Sequence, residues 1–327
     1  MAEYFIHGTR LVVDSDWPRF LKYVALNLDP FLPRRATTDE LRVSVAITRR
    51  PWFGPSQRSM ILRDPAEEVW GDDLISDGRN IRFRHHGLDV DFIAGPPTQV
   101  RARYLLDRTN RLASLLREVP SWETTQMAAR LSLYLPLFYL KERSGMVVLH
   151  AGAVAGRGGA VLLAGLNGVG KTTLCSSLLE RLSYMSDNYT LWTGEEVLGF
   201  PEALRVPLSR EPPSSSRLPS VWGKRLVPVD LSRVVLSAKP SALVFLTRGV
   251  RTALSSLTPS ESVHRLEILQ DMTAEIPRYG YLGPLSPPRR PSLILSLAES
   301  VPAYALTVAD LATAGTAILD LAGESGA

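Results

Sequence analysis

Apolar residues follow two different rhythms along this chain. Up to about residue 108 they alternate with polar ones over short runs. L-R-V-S-V-A-I-T-R-R (41–50) alternates as a strand with one buried face does. N-I-R-F-R-H-H-G-L-D-V-D-F-I-A-G (80–95) holds two such runs around His86-Gly87, which predicts a hairpin. Between Ser121 and Arg143 the spacing becomes helical. S-W-E-T at the start of that run predicts an N-cap, and Pro136 predicts a kink. Its most apolar part, 131–140, is about half the length that spans a bilayer. It reads as a buried helix, and no membrane association is expected.

From Met146 onward the apolar runs become compact. M-V-V-L-H (146–150), A-V-L-L-A-G (160–165), S-A-L-V-F-L-T-R-G (241–249) and A-Y-A-L-T-V (303–308) read as strands covered on both faces. T-T-L-C-S-S-L-L-E-R-L (172–182) and D-L-A-T-A-G-T-A-I-L-D-L-A (310–322) are helices by periodicity. The expected class is therefore α/β. A smaller strand-rich α+β N-terminal domain with connecting helices occupies 1–145, and a second domain occupies 146–327. The Pro/Ser-rich segments 209–220 and 281–292 predict surface loops.

Composition narrows this picture only a little. With 45% hydrophobic and 21% charged residues in 327, the chain can build a sizeable core without staples. Its one cysteine, Cys175, forbids an internal disulfide and fits a reducing compartment. M-A-E-Y-F-I-H-G-T-R shows no signal-peptide pattern, so the expected location is cytoplasmic. The net charge of +4, from 37 basic and 33 acidic residues, is spread along the chain. That suits an anionic ligand and speaks against nucleic acid, which calls for a concentrated basic face. His85-His86 has no partner at ligand spacing and reads as a hairpin end, not a metal site.

The candidate chemistry sits in G-L-N-G-V-G-K-T (165–172), which satisfies G-x-x-x-x-G-K-[ST] between an apolar strand and a helix. Glycines at 165, 168 and 170 let backbone N–H groups turn toward phosphate oxygens. Lys171 is placed to reach β- and γ-phosphates, Thr172 to offer a hydroxyl to Mg²⁺, and the helix beginning there points its positive end at the anion. Gly165, Asn167, Gly168, Val169, Gly170, Lys171, Thr172 and Thr173 are thus the candidate ATP-binding residues. The carboxylate such chemistry needs is expected from Asp187, which follows the helix by one short strand, S-Y-M-S. A strand returning beside the phosphate-loop strand would deliver it to the γ-phosphate. No N-K-x-D and no L-S-G-G-Q occurs, which argues against an ordinary GTPase and a transporter ATPase.

The order L-H-A-G-A-V, A-V-L-L-A-G-L-N-G-V-G-K-T-T-L, Y-M-S-D-N-Y-T-L-W resembles the kinase domain of HPr kinase/phosphorylase and its relatives, over about residues 146–322. The resemblance implies a P-loop kinase fold of the HPr kinase and phosphoenolpyruvate carboxykinase type. It implies ATP, Mg²⁺ and a serine acceptor on a peptide or protein, and it favours self-association. It puts His150 close to the phosphates. It makes Asp187 the first member of an acidic pair whose second place is held by Asn188, a further metal-ligand candidate beside Thr172 and Asp187. Leu166 stands where the relatives carry an acid, and their E-[IV]-R-G-x-G stretch is not recognisable, so the implied acceptor is a peptide other than HPr. The catalytic candidates are Asp187, His150 and Lys171, with Arg205, Lys224 or Arg248 to neutralise charge on the transferring group. Two alternatives stay open: a small-molecule kinase with the same core, and a nucleotide-responsive binding protein with little turnover.

Overall fold

The computed structural model describes residues 1–32, 37, 39–49, 68–69, 74–76, 80–85, 88–106, 121–207, 219–272 and 290–324. They divide into two compact units, one ending at Leu140 and the other beginning at Lys141. Residues 209–218 and 281–289 of the two expected loops, and the hairpin tip at 86–87, lie outside the described residues. Among the described residues no helix is long and apolar enough to cross a membrane.

The first unit is a sheet with helices. Its strands are β1 (Ala2–Ile6), β2 (Thr9–Ser15), β3 (Asp39–Arg49), β4 (Glu68–Val69), β5 (Leu74–Ser76), β6 (Asn80–His85), β7 (Leu88–Ile93) and β8 (Thr98–Leu106). Their order is β1-β2-β3-β8-β7-β6-β5-β4, with β2, β3 and β8 mutually parallel and the other pairs antiparallel. The alternation read in the sequence holds. Leu41, Val43 and Val45 of β3 are buried while Arg42 and Ser44 are exposed. On the polar face, Asp89 and Asp91 stand opposite Arg103 and Arg101, so charges of opposite sign pair across strands.

Helix α1 (Pro18–Leu28) buries Phe20, Tyr23, Val24, Asn27 and Leu28, a helical stripe inside a region that otherwise reads as strands and turns. Ser121 does cap α2 (Trp122–Ala129), its side chain accepting from Thr124 N at 3.2 Å. The break expected at Pro136 takes the form of a π-helical stretch, Arg130–Tyr134, directly before α3 (Leu135–Arg143). Pro136 has no N–H for the carbonyl one turn back, and an inserted wide turn absorbs the lost bond and the ring's bulk. Residues 131–139 are buried along most of this run, Tyr139 meeting Phe92 edge-on at 5.1 Å.

The described residues of the second unit form three sheets. β9 (Val147–Leu149), β10 (Ala151–Gly156), β11 (Gly159–Ala164), α4 (Lys171–Leu178), β12 (Ser183–Ser186), β13 (Thr190–Trp192) and β14 (Val197–Gly199) follow one another. Then come β15 (Leu204–Pro207), β16 (Ser220–Val221), β17 (Lys224–Val227), β18 (Ser237–Ala238), β19 (Pro240–Arg248) and β20 (Ala253–Leu257). Helices α5 (Pro259–Met272) and α6 (Pro291–Ser300), strand β21 (Ala303–Val308) and helix α7 (Leu311–Leu321) complete the unit.

The central sheet runs β12-β10-β11-β19-β21-β20. Strands β11, β19 and β21 are parallel, so their carboxyl ends open on one side. One face packs on α4 and α7 through Val161, Leu163, Leu174, Leu178, Val244, Leu306 and Ile318. The other packs on α5 and α6 through Leu162, Leu243, Phe245, Leu266, Leu269, Ile294 and Leu297. Residues 160–164 and 242–246 are therefore covered on both sides, as their unbroken apolar runs require. β21, expected to be equally covered, is half-buried; its outer neighbour β20 is an exposed strand at the end of the sheet. The remaining sheets are β18-β14-β13-β9 and β15-β17-β16.

Candidate active site

Strand β11 ends at Ala164 and helix α4 starts at Lys171, with the glycine-rich loop between them. The loop needs its glycines for backbone reasons. Gly170 caps the helix at φ +107° and Gly168 sits at φ +82°, conformations that side-chain-bearing residues avoid. Leu166, Asn167 and Gly168 are exposed, and Val169, Gly170, Thr172 and Thr173 are half-buried. The helix is shorter than its apolar period suggested. It stops at Leu178, whose carbonyl takes the N–H groups of both Arg181 and Leu182 in a tight turn before β12.

Lys171 is buried, with its Nζ 2.7 Å from the Gly165 carbonyl and 3.2 Å from that of Leu166. It also lies 3.3 Å from His150 Nε2. An ammonium only donates, so this contact is a hydrogen bond when Nε2 carries the lone pair. His150 was expected on a strand. It sits instead between β9 and β10, where the chain leaves the four-stranded sheet for the central one. Tyr189 closes over its ring, edge-on at 5.9 Å.

Asp187 reaches the loop by a route the sequence did not show. β12, the strand that carries it, was expected next to β11. In the structure β10 lies between them, antiparallel to both. Asp187 nonetheless meets the start of α4, where Thr172 Oγ1 donates to its Oδ2 at 2.9 Å. A β-carbon on Gly152 of β10 would stand 3.3 Å from the Asp187 carbonyl and from Cys175 Sγ, so a larger residue there would press on both. Asn188 follows, buried, with no hydrogen-bond partner for its Nδ2 among the described residues.

The Asp187 carboxyl is pushed above the ordinary range for its type. Burial is the main cause; the Thr172 hydrogen bond and then the charges of Arg205, Lys171 and Lys224 pull it partly back. Arg205 and Lys224 come from paired strands of the three-stranded sheet. Pro207 faces Lys224 in that pairing, and strand alternation puts Arg205 and Pro207 on one face. Arg205 is held 3.6 Å from the Glu202 carboxylate, itself 1% exposed. Arg248, the third cation singled out in the sequence, lies at the exposed end of β19. Cys175, beneath Asp187, is fully buried, and burial together with the nearby Asp187 charge pushes its thiol well up.

A pH-linked result follows from the raised carboxyl. Folded Asp187 holds its proton more tightly than the unfolded chain does. Its contribution to stability is thus greatest below its unfolded value of about 3.8 and is lost as pH rises through the folded value. Asp187→Asn, which keeps an acceptor for Thr172, should stabilise the fold by about 1 kcal/mol near pH 7. Thermal melts without added ligand should show that gain shrinking as pH falls through the raised folded value and gone below about 3.8. A lower melting temperature for the variant near neutrality would contradict the picture of a destabilised buried charge.

Among the described residues no cluster of three or more His, Cys, Asp or Glu is placed to hold a metal. A hard divalent cation bound largely by phosphate oxygens needs only one or two protein oxygens, and the adjacent Thr172 hydroxyl and Asp187 carboxylate meet that need. The buried Asp187 Oδ1, which has no hydrogen-bond partner among the described residues, fits the same requirement for a positive neighbour.

No family model matches the chain, and no curated protein matches it. Among solved structures, the Hpr(Ser) kinase/phosphatase from Coxiella burnetii is similar over 34% of this chain and 71% of its own, with a TM-score of 0.23 and 16% identity. That likeness is weak and carries no argument about what this chain does.

Proposed function

We propose that this chain is an ATP- and Mg²⁺-dependent phosphotransferase that moves the γ-phosphate to a serine hydroxyl of a peptide or protein. The observation that carries the reading is the Thr172 Oγ1–Asp187 Oδ2 hydrogen bond beside the buried Lys171 ammonium. It brings a carboxylate from beyond the next strand to the hydroxyl and cation at the start of one helix behind a glycine-rich loop. That is the set phosphoryl transfer asks for.

In this reading the loop N–H groups and Lys171 bind the β- and γ-phosphates, Lys171 giving up its bonds to the loop carbonyls. His150 keeps Lys171 aimed. Thr172 and Asp187, with Asn188 beside them, would hold Mg²⁺, which when bound neutralises charge on the phosphate oxygens. Asp187 Oδ1 takes the proton of the serine hydroxyl as its oxygen forms the bond to phosphorus and the bond to the ADP oxygen breaks. Arg205 and Lys224, from paired strands of the three-stranded sheet, add positive charge near Asp187.

The test is incubation with γ-labelled ATP and serine-bearing peptides or proteins encoded beside this gene, followed by mass measurement. A gain of one phosphate on a serine is the expected result. Label appearing only on small hydroxyl compounds would move the reading to a small-molecule kinase, and label appearing nowhere would remove it.

A further inference from the structure

We propose that the exposed turn between β19 and β20, residues Arg248–Thr252, is the nucleoside subsite, where base and ribose of the nucleotide lie. The proposal rests on the phosphotransferase reading and gives its ligand a direction. A nucleotide whose terminal phosphate lies at Thr172 and Asp187 has to extend to one side or the other of the glycine-rich loop. On the β12 side every residue from Tyr184 to Trp192 is buried, so the way is filled. On the β19–β21 side every residue from Thr247 to Arg251 is exposed, and so are Ala309 and Asp310. The parallel run of β11, β19 and β21 brings these ends to the same opening as the loop. Ligands of open parallel sheets lie in such openings, outside the carboxyl ends of the strands.

The turn is contiguous with the loop. A β-carbon on Gly165 would stand 3.0 Å from the Leu246 carbonyl, so the end of β19 lies directly against the first glycine of the motif. Arg248 is two residues further along and on the same face of the strand as Leu246. The turn is also a built feature. Thr252 Oγ1 accepts from Ala309 N at 3.1 Å and Asp310 N at 2.9 Å and donates to Asp310 O at 3.4 Å. Gly249 N donates to Val308 O at 3.3 Å, and a β-carbon at Gly249 would collide with Thr307 Cγ2. These contacts fix the turn onto the link between β21 and α7.

Its outward side chains suit a flat heterocycle. Arg248 and Arg251 are exposed and have no ion pair among the described residues. Val250 is fully exposed, and Leu166 presents a second apolar surface from the loop at 41% exposure. A planar guanidinium stacks on an aromatic ring, and aliphatic groups pack its other face. Asp310, the nearby acid, is committed to capping α7, its Oδ2 taking Thr313 N and Oγ1 at 2.7 Å each.

The test uses the full chain and two probes, ATP and inorganic tripolyphosphate, each with Mg²⁺, titrated by calorimetry. Arg248→Ala should weaken ATP about tenfold and leave tripolyphosphate within about twofold. Arg248→Lys, which keeps the charge and loses the plane, should behave like the alanine variant. Equal losses for both probes, no loss for either, or full rescue by lysine would each overturn the subsite. A wild-type chain that binds tripolyphosphate as tightly as ATP overturns the subsite and leaves the phosphotransferase reading standing. One that binds neither removes that reading, and the subsite with it.

Discussion

Replacing Asp187 with alanine should lower phosphoryl transfer by about three orders of magnitude while ATP affinity stays within about threefold. The expectation comes from where the side chain sits. Asp187 contacts the hydroxyl of Thr172, whereas the groups assigned to the phosphates are Lys171 and the loop backbone. Lys171 and the loop backbone keep the phosphates without it, so losing the Asp187 share of the Mg²⁺ contact should cost turnover far more than binding. Kinetics with the labelled acceptor and calorimetry with ATP read the two separately. Turnover within tenfold of wild type would leave Asp187 without its role, and with it the proposed reaction. The asparagine variant guards against a trivial collapse, because it should fold better than wild type and still fail to turn over.

Gly199→Ala is expected to be strongly damaging to the second unit. A β-carbon there would stand 2.6 Å from the Met185 carbonyl and 3.1 Å from its C and Cα. These are backbone atoms and cannot rotate away. β14 and β12 must separate, and Asp187 lies two residues beyond the point of collision. The cost should be about 2–3 kcal/mol, seen as a fall of roughly 5–10 °C in melting temperature. Activity of the folded fraction should drop as well. Gly315→Ala on α7 is the matched control. Its β-carbon would meet only Leu178 Cδ2 at 3.7 Å, and alanine in a helix should gain about 0.5–1 kcal/mol. If the two variants melt alike, the close approach of β14 to β12 is not a constraint.

Much of the second unit was legible because its strands are covered on both faces. Unbroken apolar runs as short as 160–164 and 242–246 suit a strand buried from both sides, and the glycine-rich motif fixes what lies before and after it. That Asp187 returns to the loop was legible from the one helix and one short strand that lead to it. What could not be read was the insertion of β10 between β11 and β12. The β10–β11 hairpin is local, but the return of β12 to the far edge of β10 depends on pairing across the fold. The same holds for which cations approach Asp187: Arg205 and Lys224 do so through a small sheet assembled from distant segments. Other features were present and went unread. The stripe Phe20, Tyr23, Val24, Asn27, Leu28 has a helical period. T-P-S-E (258–261) is a capping box, with Thr258 N donating to Glu261 Oε2 at 2.8 Å and Glu261 N to Thr258 Oγ1 at 3.3 Å.

The sealed position of Cys175 turns the chain's one thiol into a native clock for local opening. Closed, it offers modifying reagents neither access nor thiolate. Its labelling rate therefore counts the moments when the helix behind the glycine-rich loop lifts from the sheet, and it does so without any engineered probe.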